Sequence, residues 1–79
     1  VNPENVIKKL TTGDSASAQN MRNLLVYCEH SSREQIVRKA AETRKESENY
    51  CRYSTWTMYV LQCEADLMEA YLASTGADQ

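Results

Sequence analysis

The sequence predicts an all-α fold, a small bundle of three or four helices whose long C-terminal helix supplies a dimer surface. Three observations predict it. Tyr53 to Leu72 carries its apolar residues at helical spacing on two sides. Neither glycine nor proline interrupts the chain between Ser32 and Ser74, so nothing there forces a break. Asn2, Ser15 and Ser32 each precede an apolar run, and each offers a side-chain oxygen that can cap a helix start. At 79 residues the chain makes a single helical domain, residues 1–79.

The first helix is read over residues 1–13. Asn2-Pro3-Glu4 combines a cap, a proline at the first helical position and an acid near the positive dipole end. Val6, Ile7 and Leu10 give one short apolar face, and Gly13 ends it where glycine suits a left-handed cap. Two turns of helix do not stand alone, so this element must dock. Helix two is expected over 15–30, with Asp14, Ser15 and Ser17 competing as its cap. Ala18, Met21, Leu24, Leu25 and Cys28 trace its apolar stripe, which is expected to lie antiparallel on the C-terminal segment. His30 closes it, as a charge suited to the C-terminal dipole.

Ser32-Arg33-Glu34-Gln35 matches a capping box and opens a helical segment over 33–74. Ile36, Val37, Ala40 and Ala41 face the core. Beyond them charges dominate: Glu34–Arg38, Arg38–Glu42, Arg44–Glu48 and Glu48–Arg52 are i,i+4 pairs, worth about 0.2–0.5 kcal/mol each. An unbroken helix from Arg33 to Ala73 would be about 60 Å long. A compact domain of this size has a radius of gyration of only about 12 Å. Residues 33–74 are therefore long or kinked. Either one helix overhangs its own domain, or two helices meet near Ser47-Glu48-Asn49, where propensity is poor and a new cap is at hand. The β propensity of Tyr50 to Thr57 is set aside, because no partner strand exists elsewhere. Residues 75–79 are expected to fray as a tail around the Gly76 stop.

The C-terminal segment organises the rest. Met58, Leu61, Ala65, Met68 and Leu72 form one a/d stripe, and Tyr53, Trp56, Val60, Cys63 and Leu67 form a second on the opposite side. A helix apolar on two faces needs cover on both. A chain this short buries only about 60% of its unfolded surface. A homodimer through one of the stripes is the expected remedy.

Composition narrows the function. With 42% hydrophobic and 25% charged residues the chain reads as an ordinary globular domain, and its net charge of −2 gives no overall nucleic-acid signature. Residues 33–52 carry six bases and four acids, whereas residues 53–79 carry four acids and no base. No run approaches the ~18 apolar residues of a membrane span and no secretory signal opens the sequence, so the expected location is cytoplasmic with no membrane partner. Cys28, Cys51 and Cys63 are odd in number and irregularly spaced, which argues for free thiols in a reducing compartment. Cys28 and His30 alone are a weak zinc signal, and no metal or cofactor is expected.

No catalytic constellation emerges, and the chain is not expected to be an enzyme. Glu64, Asp66 and Glu69 fall at different azimuths and read as a solvent face. Two candidate surfaces remain. Tyr50, Tyr53, Trp56 and Tyr59 crowd into ten residues and belong to the types enriched at interface hot spots; Tyr50 and Tyr59 lie off the second stripe, which frees them for a partner. Arg38, Lys45 and Arg52, seven apart with Lys39 and Arg44 nearby, form a basic face suited to nucleic acid or an acidic partner. Neighbouring acids would repel a phosphate backbone, so protein binding ranks first. The expected function is a small inhibitor or adaptor of a larger protein or complex, a class that includes phage- and plasmid-encoded inhibitors of host enzymes and defence systems. A nucleic-acid-binding regulator is the alternative. One test follows from the thiols: alkylation of the denatured chain without reductant should modify all three cysteines, and a missing site would reveal a disulfide.

Overall fold

The computed structural model describes residues 2–75, which form four helices and, among the described residues, no strand. They are α1 (Pro3–Thr11), α2 (Ala16–Glu29), α3 (Arg33–Asn49) and α4 (Thr55–Thr75). Each start has a side-chain cap. Asn2 Oδ1 accepts from the Glu4 amide at 2.9 Å, with Pro3 next in line. Ser15 Oγ accepts from the Ala18 amide at 3.0 Å. At α3 the capping box is reciprocal: Ser32 Oγ accepts from the Gln35 amide and Gln35 Oε1 from the Ser32 amide. Each such cap is worth about 1 kcal/mol. Gly13, at φ +114°, takes the turn out of α1 into a backbone region that a side chain would strain.

The 33–74 segment is two helices. The break falls at residues 50–54, just beyond the Ser47-Glu48-Asn49 stretch, and Ser54 supplies the new cap by accepting from the Thr57 amide at 3.2 Å. Ser47 is unavailable as a cap because it is buried, with its hydroxyl donating to the Arg44 carbonyl at 2.6 Å. The turn folds α4 back antiparallel on α3: Arg33 at the start of α3 meets Leu72 near the end of α4, and Arg44 meets Asp66 and Glu69. The chain therefore fits within 40 × 28 × 24 Å, with a radius of gyration of 12.4 Å. Of the tail expected over 75–79, Thr75 belongs to α4 and the remainder lies outside the described residues.

α4 is the hub, packed against each of the other three helices and most extensively against α3. Helix two was expected as the antiparallel neighbour of this segment; it does meet α4, but the helix packed most extensively against α4 is α3. Ala65, Leu67, Met68 and Ala70 are the buried residues of α4. Cys28 from α2 and Ile36 and Ala40 from α3 close around Met68, with Leu24, Tyr71 and Leu72 packed at the edge. α1 buries no residue completely; Val6, Ile7 and Leu10 are half covered.

The first stripe of α4 is internal, most deeply at Ala65 and Met68. The second splits. Leu67 is fully buried, Val60 and Cys63 are half exposed, and Tyr53 and Trp56 stand in solvent. Within the chain the second stripe is therefore not buried along its whole length. The cause is the reach of the short helices. Pro3 and Val6 of α1 lie beside Asp66, Glu69 and Ala70, and Cys28 of α2 meets Met68, so both helices are seen to cover the C-terminal half of α4 where Leu67 is buried. Tyr53 precedes the helix altogether.

The depth of burial sets an order of mutational cost. Met68→Ala should destabilise by about 2–5 kcal/mol, the range for truncating a fully buried side chain. Half-buried Leu61→Ala should cost less, and exposed Lys45→Ala should stay within about 0.5 kcal/mol. Urea titration of the three variants checks the order.

Candidate functional site

The outstanding surface is the end of the molecule where α3 turns into α4. Tyr50 closes α3, Tyr53 ends the turn, and Trp56 and Tyr59 follow one helical step apart on α4. Their exposures are 37%, 86%, 73% and 58% respectively. The order differs from the sequence expectation, in which Tyr53 and Trp56 belonged to a covered stripe. Cys51 and Arg52 are exposed in the same turn. The turn itself is firm: the amides of Tyr53 and Ser54 both donate to the Tyr50 carbonyl, at 3.1 and 2.9 Å. Rings of this size on an ordered turn are large apolar surfaces held out at low further entropic cost.

The basic residues do not form one row. Arg38 donates to Glu34 at 3.1 Å, a pair that is mostly exposed. The Lys39 ammonium lies 5.4 Å from the centre of the Tyr27 ring, a cation–π contact worth about 0.5–1 kcal/mol at an exposed position. Lys45 is exposed on α3, and Arg52 sits beyond the end of that helix, so the seven-residue spacing does not continue onto it. Of the four expected i,i+4 pairs, only Glu34–Arg38 forms among the described residues. Arg44 turns away from Glu48 and reaches across to α4, and Glu48–Arg52 lacks a continuous helix to align it.

Arg44 makes the principal polar tie of the fold. Its Nη2 donates to Asp66 Oδ1 at 2.8 Å and to Glu69 Oε1 at 2.9 Å, and its Nε donates to Glu69 Oε2 at 3.0 Å. These bonds push its pKa further up from an already high value. Asp66 and Glu69, read from the sequence as a solvent face, therefore clamp one guanidinium. Their three-residue spacing on one helix was visible; the hairpin register that delivers Arg44 to them was not. Two further arginines act on helix ends. Arg22 donates to the carbonyls of Thr11 and Gly13, both at 2.8 Å, and Arg33 to that of Leu72 at 3.1 Å. Carbonyls at a helix C-terminus lack intrahelical donors, and a cation there also suits the dipole.

Two of the three thiols are shifted by their surroundings. Burial pushes the Cys28 thiol up, helped by Glu29 and opposed by Lys39. Burial also raises the Cys63 thiol, with Asp66 and Glu64 adding to it. A raised thiol carries little thiolate at neutral pH. Burial likewise raises the half-covered carboxyl of Glu64, while Lys39 lowers it and Glu46 adds to the rise. His30 ends α2, with Nδ1 2.9 Å from the Val26 carbonyl. Among the described residues no three His, Cys, Asp or Glu side chains come together as a metal site. Two open clefts are present, one of about 180 Å³ beside Tyr27 and Lys39, the other of about 420 Å³ between Val6 and Glu69. Neither is enclosed in the way that small-molecule sites are.

The clamp yields a prediction. Arg44→Ala should cost about 1 kcal/mol, because half-exposed pairs are screened, and the loss should shrink in high salt. Arg44→Lys should recover only part, since an ammonium lacks the planar fork that serves two carboxylates. Denaturation at two ionic strengths measures both. No protein-family model matches the chain, and no curated protein or solved structure matches it.

Proposed function

We propose that the chain is a protein-binding module, an inhibitor or adaptor of a larger protein or complex, that recognises its partner through the aromatic end and is itself a homodimer through α4. The carrying observation is the exposure of Tyr50, Tyr53, Trp56 and Tyr59 around one ordered turn. Four large aromatics gathered at one end make an exposed apolar patch, and tyrosine and tryptophan are the residues on which interface energy concentrates. A desolvated aromatic anchor contributes about 2 kcal/mol or more. An exposed ion pair contributes about 0–1 kcal/mol.

The alternative, a nucleic-acid regulator using residues 33–52, draws on Lys45 and Arg52, which have no ion-pair partner among the described residues. It is weaker. Arg38 and Arg44 are already engaged with carboxylates, and the chain carries a net charge of −2. Affinity purification from the native host with mass spectrometry identifies the partner. Tyr50→Ala and Tyr59→Ala, checked for folding, should then weaken its capture at least about tenfold. Arg38→Ala and Lys45→Ala should change it little. The reverse pattern would move nucleic acid or an acidic partner to first place.

A further inference from the structure

Charge thins abruptly where α3 turns into α4. Residues 33–48 are dense in acids and bases, whereas Arg52 is the one charged side chain over residues 49–63. The same stretch holds Tyr50, Tyr53, Trp56 and Tyr59, and all four rings are exposed. Tyrosine, tryptophan and arginine without lysine, aspartate or glutamate is the composition of the core of a protein interface. At about 150–250 Å² for each aromatic side chain, the exposed parts of the four rings amount to roughly 400–600 Å². Exposed Cys51 and Arg52 in the same turn extend this toward the roughly 600 Å² per partner at which specific interfaces begin.

Arg52 selects the occupant. It stands between Tyr50 and Tyr53 in the turn and has no ion-pair partner among the described residues, Glu48 four positions earlier included. A partner seated on both rings meets this guanidinium and takes water from it. A desolvated charge left without a counter-charge offsets what the rings contribute. A carboxylate on the partner removes that cost, and the planar fork of an arginine takes one through two parallel bonds. A second copy does not supply it. Residues 49–63 contain no acid, so two such ends related by a two-fold axis leave both Arg52 side chains unpaired. A phosphate backbone fits no better, because it is tracked by several cations and this end offers one.

We infer that the aromatic end docks into an apolar pocket of another protein that carries a carboxylate, with the four rings as anchors and Arg52 paired to the acid. The inference rests on the protein-binding reading and names the chemistry of the surface that this reading requires. It assigns this end of α4 to the heterologous partner and not to the second copy.

Isothermal titration calorimetry tests it, with the host protein that capture and mass spectrometry identify. Trp56→Ala and Arg52→Glu should each weaken binding at least about tenfold, and Arg52→Lys should lose less. Changing the partner's surface acids to lysine one at a time should find a position that restores binding to Arg52→Glu. Circular dichroism shows that each variant is folded. Binding indifferent to Arg52→Glu overturns the inference, and if Trp56→Ala still weakens it the protein-binding reading stands. A Trp56-dependent shift of an oligothymidylate, or Trp56-dependent sedimentation with phosphatidylglycerol vesicles, overturns it in favour of a phosphate-bearing ligand. A chain that captures no protein in a Trp56-dependent way overturns both.

Discussion

Every other feature follows from one constraint: a 21-residue helix with apolar residues on two sides, covered by a chain too short to reach along all of it. α4 is about 31 Å long at 1.5 Å per residue. α3 runs beside it and buries Ile36, Ala40, Thr43 and Ser47. The opposite side depends on α1 and α2, which meet α4 at Asp66, Met68, Glu69 and Ala70. The same stripe is core at Leu67 and solvent at Trp56.

The polar ties show a similar economy. Among the described residues, every side-chain hydrogen bond spanning more than four positions is donated by an arginine: Arg22, Arg33 or Arg44. Two of these close helix ends and the third locks the α3–α4 hairpin. The planar fork reaches two acceptors at once, which an ammonium does less well. Such contacts add little stability each, since they are partly exposed. Their use here is in register: Arg44 meets both carboxylates only when α3 and α4 are correctly offset.

Much of the architecture was legible because local signals agreed. Asn2, Ser15 and Ser32 marked three starts, and the reciprocal bonds of Ser32 and Gln35 are those a capping box specifies. The fourth start was harder. Ser47 and Ser54 have the same capping chemistry, and only the antiparallel return decides that one is buried and the other caps. The surface was less legible still. Periodicity places Tyr53 and Trp56 on an apolar stripe but contains nothing about which helix covers which part of it. The role of Arg44 was hidden for the same reason, because i,i+4 spacing suggests Glu48 while the register offers Asp66 and Glu69 together.

α1 gives the fold an unequal distribution of cooperativity. Its nine residues bury none completely, and Arg22 holds its C-terminal end through the carbonyls of Thr11 and Gly13. An element with so little burial of its own is expected to sit at the low end of the opening free energies in the bundle. Its amides should exchange with solvent long before those of α3 and α4. Each such opening bares the side of α4 that carries Ala70 and brings the acids that clamp Arg44 into fuller contact with water.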